Sequence, residues 1–482
     1  VPAMTELYAD VVVVGSGAGG SVIAAELAEA GLDVLVLEEG GWHSTEDFGA
    51  DAGQSIRRLY RDAGARMALG VPPVTFSEGR CVGGSTVING GMTWRTPERI
   101  LEQWSSEHGV IGIQPKDMEP WFERVERRIS ATRQPKSTVG RDNRLLAEGA
   151  QSLGWRTVTN IRNHVHCAGS NNCAWGCPTG AKQSAVVTYI PRAVHFGAHI
   201  LPGARVDGLL VDGGRVRGVE GMLAQPHGPS RPFRALAPQT VVCGGAVQTP
   251  ALLLGSGIRT PSNTLGHRLS LHPNIKLVAL MDEPVRGWEG VHQAYQVEEF
   301  DELGLRMAAV NVPPSIVAMT MPLFGEALAT VMSRYDHMLI AGMLLEDSVF
   351  GRVRVAPRPR RKGPPRPITT YQLTRADADR LVRGAGLLCE LLFEVGAEEV
   401  FLPFEGHEPL RSVDEARALS ETPRAVDRKG IELVTVHIMG TCAMGEDPRR
   451  HVCDSWGRVH GVPGLRVADA SLFSGPIGIN PM

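Results

Sequence analysis

No run of apolar residues in the chain approaches the roughly 20 that a membrane-spanning helix requires, so a membrane span is not expected. Charge of one sign is also missing. Its 49 Lys+Arg against 52 Asp+Glu leave a net charge of −3, and so near-neutral a balance argues against a nucleic-acid partner. Cysteine is sparse, eight in 482 residues, which argues against a disulfide scaffold and makes a reduced, cytoplasmic protein the expectation. Nor does a secretory leader stand out: Val1-Pro2-Ala3-Met4 reads as a cloning remnant ahead of a native Met4. Glycine, by contrast, is plentiful at 56 residues, which implies many tight turns or close backbone approaches. Hydrophobic residues at 43% and charged residues at 21% support a large buried core rather than disorder. The length fits about three domain-equivalents, or one interleaved two-domain enzyme.

Tyr8 to Val14 reads as a buried parallel strand, and it runs into Gly15-Ser16-Gly17-Ala18-Gly19-Gly20. A helix is expected over 21–30, stopped by Gly31, and a second strand over 34–37 ends in Glu38-Glu39-Gly40. This is a βαβ unit with GxGxxG at Gly15, Gly17 and Gly20. The glycines permit the tight turn, the close approach of a pyrophosphate and close helix–strand packing. The helix N-terminus offers free N–H groups to phosphates. Glu38 follows the first glycine at the distance of a ribose-binding carboxylate, with Glu39 as its competitor. The motif alone does not separate FAD from NAD.

Further along, Gly79 to Gly91 is a second glycine-rich stretch, closed by Trp94-Arg95-Thr96-Pro97. Helices are expected over 120–129, 142–153 and 377–395. Residues 200–211 read as a strand, with Val206 placed to meet an adenine through its backbone, and Gly213-Gly214 as a hairpin turn. Val241-Val242 into Gly244-Gly245-Ala246 is another strand-to-helix turn. Residues 274–350 read as sheet. The basic, proline-rich 352–366 stretch reads as an exposed loop or hairpin tip, with docking of an acidic redox partner as the lesser reading.

Four blocks carry a resemblance. Gly79-Arg80-Cys81-Val82-Gly83-Gly84-Ser85-Thr86-Val87-Ile88-Asn89 is similar to the first signature of the glucose–methanol–choline (GMC) oxidoreductases. Gly245 to Ile258 resembles the second, with Arg259 where glycine is usual. His437-Ile438-Met439-Gly440-Thr441-Cys442-Ala443-Met444-Gly445 resembles the HPxGTCxMG box, with Ile438 for proline. Val467-Ala468-Asp469-Ala470-Ser471 and Asn480-Pro481 resemble the closing motif. Shorter stretches, among them Gly180-Ala181-Lys182-Gln183-Ser184 and Leu271-His272-Pro273-Asn274, resemble the long-chain alcohol oxidase branch.

The resemblance implies FAD, with the adenine end at Gly15, Gly17, Ala18, Gly20, Glu38 and Val206. The flavin end would lie at Arg80, Gly83, Gly84, Ser85, Asn89, Asp469, Ala470, Asn480 and Pro481. Some members tether FAD through a histidine at the position that is Ile88 here. An alkyl side chain offers no nucleophile, so FAD is expected to be non-covalent. The family also continues past Asn480 into a helix beneath the flavin. This chain ends at Met482, and whether that helix is missing stays open.

Oxidation of an alcohol needs a base for the hydroxyl proton and a polar group to hold the oxygen. His437 occupies the family's base position, and Asn480 the second position. His272 is the nearest rival and reads as structural; His451 and His460 read as surface residues. Cys243 and Cys389 read as small core residues.

The loop of Cys167, Cys173 and Cys177 resembles a segment that implies a [3Fe–4S] cluster in a bacterial FAD-dependent dehydrogenase subunit. Zinc with His164 or His166 is a remoter alternative, and a plain thiol-rich loop is favoured. The metal assignment stays open.

The fold expected is α/β (α+β overall). A Rossmann-like FAD-binding domain (1–98, 195–262, 430–482) is interleaved with a substrate domain of antiparallel sheet plus helices (99–194, 263–429). The expected reaction is alcohol oxidation with hydride transfer to FAD, reoxidised by dioxygen or an electron carrier. The alternative is a redox-neutral enzyme of the same fold, of lyase or photodecarboxylase type.

Overall fold

The computed structural model describes residues 4–357 and 363–481. Its first layer is a five-stranded, wholly parallel sheet. The strand order is Leu465–Val467, Gln239–Val242, Val11–Val14, Val34–Glu38, His199–Pro202. These short strands are apolar on both sides because both faces are covered. Val11, Val13, Val34 and Val36 pack against the helices Ala18–Glu29 and Tyr189–His195. Val12, Leu35 and Leu37 turn the other way, against a four-stranded sheet built from Thr5–Tyr8, Arg231–Leu236, Arg215–Leu223 and Ala204–Asp212.

Two runs expected as single strands are therefore each divided between these sheets. Thr5–Tyr8 pairs with Arg231–Leu236, whereas Val11–Val14 lies in the parallel sheet. Asp10 makes the break: its carboxylate accepts the Asp33 amide (3.0 Å). Likewise His199–Pro202 and Ala204–Asp212 part at Gly203, whose φ of 71° turns the chain from one sheet to the other. Gly213-Gly214, both at positive φ, form the expected hairpin between Ala204–Asp212 and Arg215–Leu223.

The second layer is a mixed sheet centred on Asn274–Met281 and Met338–Leu345. It also takes in Arg66–Ala68, Val74–Phe76 and Leu433–Thr435, so segments near both ends of the chain contribute to it. Side chains alternate across a strand. Ile275, Leu277, Ala279 and Met281 enter a core capped by the helices Arg375–Glu394 and Arg141–Ser152. Asn274 and Lys276 therefore project from the opposite face. The same parity applies on two neighbouring strands. Val297 and Met307 face the core, so Gln296 and Arg306 share the face of Lys276.

The 274–350 region contains two helices that the apolar–polar pattern did not reveal, Pro314–Thr320 and Gly325–Met332. The basic stretch begins as the strand Gly351–Val355, antiparallel to Pro367–Thr370; its tip at 358–362 lies outside the described residues, as do Val1-Pro2-Ala3. The helix Gly245–Gly255 joins the two layers. Val247 and Ala251 enter one core, Leu252 and Leu253 the other.

Candidate active site

The strand Val11–Val14 ends at Gly15, whose φ of +96° excludes side chains and whose Cβ, if present, would lie 2.5 Å from the Cys243 carbonyl. A Cβ at Gly20 would drive into the Gly15 carbonyl. Gly17 is different. Its Cβ would meet only the Gly84 Cα, at 4.0 Å, so packing alone does not demand a glycine there. Gly17 also caps the helix Ala18–Glu29 without any side-chain bond to the first-turn amides. Open room beside uncapped amides suits a pyrophosphate, and in this respect the residues fit a dinucleotide.

Glu38 and Glu39 occupy different environments. Glu38 is buried and accepts the Ser16 amide (3.0 Å), the Ser16 hydroxyl (2.7 Å) and the Gly40 amide (2.8 Å). Burial raises its pKa, and these bonds oppose the rise. Glu39 instead pairs with Arg61 (2.8 Å) and lies 3.7 Å from Arg80. Ser16, which the motif leaves as a variable position, also accepts the Gly83 amide (3.1 Å) and so clasps the second glycine loop to the first.

Beyond Gly83, the Ser85 hydroxyl accepts the Gly79 amide (3.0 Å). Asn89 Oδ1 accepts the Gly91 amide (3.1 Å). Ile88 is buried at the end of the helix Ser85–Ile88. Val206 pairs with Gly221 just before a bulge. Asp469 accepts the Gly245 amide (2.8 Å), the Thr249 hydroxyl (2.5 Å) and the Ser471 amide (2.8 Å). Its carboxylate thereby ties the closing segment, including Ala470, to the helix Gly245–Gly255.

Two distant residues singled out for chemistry meet at the far end. His437 Nε2 lies 3.3 Å from Asn480 Nδ2. The His437 amide donates to Thr435 Oγ1 (3.0 Å), which turns the chain out of the strand Leu433–Thr435 and sets the imidazole inward. Burial, and then the charge of Lys276, lower the His437 pKa to about 3, so the ring is neutral at ordinary pH. Lys276 itself is lowered to about 8 by burial. Pro481, the last described residue, follows Asn480 directly.

His272 is not remote from this pair: its Nδ1 lies 3.3 Å from His437 Nδ1, with the rings nearly perpendicular at 84°. Its Nε2 accepts the Gly478 amide (3.2 Å). Gln296 donates to Asn480 Oδ1 (2.6 Å). Neither Gln296 nor Lys276 stands in a motif, so only strand parity could have put them on the site's face. His451, read from sequence as a surface residue, is 2% exposed and bonds His108 (3.0 Å). His460 is half-buried and bonds the Gly445 carbonyl (2.9 Å).

The cysteine loop does not assemble an ion site. Among the described residues no group of three or more His, Cys, Asp or Glu is placed to hold a metal. Cys173 Sγ accepts from Arg162 (3.2 Å), and Cys177 Sγ from the Lys182 amide (3.4 Å). Lys182 Nζ clamps the loop to the first signature through the carbonyls of Cys173 (2.6 Å), Val87 (2.7 Å) and Asn89 (2.9 Å). All eight cysteines are free thiols; Cys243 and Cys389 are buried.

The family profile described as GMC oxidoreductase matches residues 56–274 in its N-terminal part and 347–482 in its C-terminal part. A GMC-type oxidoreductase of Mycobacterium tuberculosis (strain H37Rv) is 36% identical over 98% of this chain and 73% of its own length. The chain belongs to the GMC oxidoreductases.

The profile of an NAD(P)-binding Rossmann-like domain also matches residues 13–67, a stretch that takes in most of the βαβ unit. A long-chain-alcohol oxidase of Arabidopsis thaliana is 27% identical over 99% of this GMC oxidoreductase, which spans 65% of that protein. The crystal structure of pyridoxine 4-oxidase from Mesorbium loti superposes with a TM-score of 0.72 at 21% identity, covering 97% of this chain and 96% of that one. The mixed α/β fold with its Rossmann-like unit is thus that of the GMC enzymes. The protein is an oxidoreductase, and FAD is the cofactor its family membership supports. Among the described residues no helix is long and apolar enough to cross a membrane.

Proposed function

We propose that this GMC oxidoreductase oxidises an alcohol to a carbonyl, with His437 as the base. The observation that carries the reading is the convergence of His437 Nε2 and Asn480 Nδ2 to 3.3 Å on a face backed by the mixed sheet. An alcohol oxygen seated beside both atoms, in place of their direct contact, accepts a hydrogen bond from Asn480 Nδ2 and gives its proton to His437 Nε2. A neutral imidazole is the form that can take it, and burial keeps the ring neutral. Asn480 then stabilises the charge that develops on the oxygen. Bound FAD supplies the hydride acceptor.

Gly15, Gly17, Ala18 and Gly20 would hold its pyrophosphate, Glu38 its ribose and Val206 its adenine. Arg80, Gly83, Gly84, Ser85, Asn89, Asp469, Ala470, Asn480 and Pro481 would line the flavin end. Ile88 leaves no tether at the signature position, so binding there is non-covalent. The parallel-sheet strands fall within 1–98, 195–262 and 430–482, which supports assigning FAD binding to those segments and substrate binding to 99–194 and 263–429. The likeness to a long-chain-alcohol oxidase supports long-chain alcohols as the first substrates to test. Dioxygen or an electron carrier would collect the electrons.

The test is anaerobic. Purified holoenzyme is mixed with a series of alcohols and the flavin absorbance is followed. Bleaching by an alcohol, slowed about 10²–10⁴-fold in His437→Ala, supports the reading. A flavin that no alcohol bleaches refutes the oxidation and favours a redox-neutral reaction, whereas a variant as fast as the parent refutes His437 as the base.

A further inference from the structure

We infer that Gln296 and Arg306 are positioning residues that decide which end of the Asn480 amide faces His437, and thereby which nitrogen of His437 is free to accept a proton. The inference rests on the alcohol-oxidation reading above. A guanidinium only donates hydrogen bonds, and a carboxamide donates at one end and accepts at the other. Arg306 Nη1 donates to Gln296 Oε1 (3.3 Å), and Arg306 Nη2 is held by Asp301 (2.6 Å). With its oxygen so engaged, Gln296 turns its amide nitrogen to Asn480 Oδ1 (2.6 Å). Asn480 in turn presents Nδ2 to His437 Nε2 (3.3 Å). A donor at that place calls for a lone pair on Nε2, the tautomer a base needs.

The opposite end of the chain of contacts makes the contrary demand. The Gly478 amide is also a donor only. Bonded to His272 Nε2 (3.2 Å), it puts the proton of a neutral His272 on Nδ1, facing His437 Nδ1 at 3.3 Å. Accepting that proton would push the His437 proton onto Nε2, where it would meet Asn480 Nδ2 donor to donor. Two donor-only groups therefore pull His437 toward opposite tautomers. The Arg306 end favours the reactive one. It works through buried residues, Gln296 at 1% and Asn480 at 6% exposure, where water cannot substitute for a lost partner.

The test uses FAD-loaded enzyme and the alcohol that bleaches it. Gln296→Met keeps bulk but removes the amide. Gln296→Glu keeps shape and the bond from Arg306, but an ionised carboxylate cannot donate to Asn480 Oδ1. Both are expected to slow flavin reduction at saturating alcohol about 10- to 100-fold, with KM for the alcohol within about twofold and FAD content unchanged. Arg306→Lys, which keeps a donor, is expected to recover most of the rate that Arg306→Met loses. In an Asn480→Ala background, Gln296→Met is expected to add almost nothing, because its effect runs through Asn480.

The inference is overturned if Gln296→Met reduces flavin within about twofold of the parent, if only KM changes, or if the Gln296 and Asn480 effects multiply. If Gln296→Met fails to fold, Arg306→Met in the same double-variant comparison decides the matter. His437→Ala is the control. A flavin that no alcohol reduces sinks the alcohol-oxidation reading itself, and a His437→Ala variant as fast as the parent sinks His437 as the base, whereas a slow His437→Ala beside a normal Gln296→Met sinks only the positioning role.

Discussion

Lowering the pH from 7.5 to 5 should cost this protein stability through His108, and the amount can be worked from the structure. Arg268 approaches His108 Nε2 (3.4 Å), so that nitrogen accepts; His108 Nδ1 then donates to His451 Nε2 (3.0 Å), and His451 Nδ1 donates to the Asp447 carbonyl (3.2 Å). Every donor in this run meets an acceptor only while both rings are neutral. Burial first, then the charges of Arg268 and His451, lower the His108 pKa to about 4, with Glu107 opposing. The unfolded chain takes up its proton near 6.5 and the folded one only near 4, so stability is lost as pH falls between those values. At pH 5 the unfolded histidine is almost fully protonated and the folded one almost fully neutral. The difference is worth about 2 kcal/mol from this residue alone. Other buried groups titrate too, and buried carboxylates such as Asp347, raised to about 6, act in the opposite direction. The informative measurement is therefore a comparison. Urea unfolding of the parent and of His108→Gln, whose amide can accept from Arg268 and donate to His451, is followed at pH 7.5 and pH 5. The parent should lose about 2 kcal/mol more than the variant across that interval. Parallel pH dependences would refute this account of His108.

Asp469→Asn should destabilise the fold by about 2–4 kcal/mol, because an amide N–H replaces an oxygen that faces the Gly245 amide and Thr249 hydroxyl or the Ser471 amide; urea unfolding measures it. Denaturation in mild acid should release all of the FAD into the filtrate, since Ile88 offers no attachment point, and flavin retained on the precipitated chain would contradict this. Lys276→Met should move the acid limb of flavin reduction to higher pH, because removing that cation lets the His437 pKa rise from about 3 toward the ordinary histidine range. An unmoved limb would show that burial alone sets it.

The dinucleotide end of the protein was legible in the amino-acid sequence because its chemistry is local. A turn at Gly15 with φ +96°, an uncapped helix start at Gly17 and a carboxylate at the end of the next strand are encoded by residues that follow one another closely. The blocks around Gly83 and His437 were legible in another way, as contiguous stretches that resemble the signatures of the GMC family. Strand continuity was less so. The mostly apolar run from Tyr8 to Val14 reads as one strand, yet Asp10 bonds the Asp33 amide and hands the two halves to different sheets. His451 looked exposed because turn residues surround it, but its cover is His108, 343 positions away.

What only the tertiary structure decided is which polar groups meet. Alternation along a strand assigns Gln296 and Arg306 to a face, but it says nothing of what lies across from that face. That Gln296 reaches Asn480 across 184 positions, and that His272 abuts His437 across 165, depends on how two layers dock. Hydrogen bonds are short-ranged and directional, so a motif can nominate His437 and Asn480, but only packing determines which proton each of them carries.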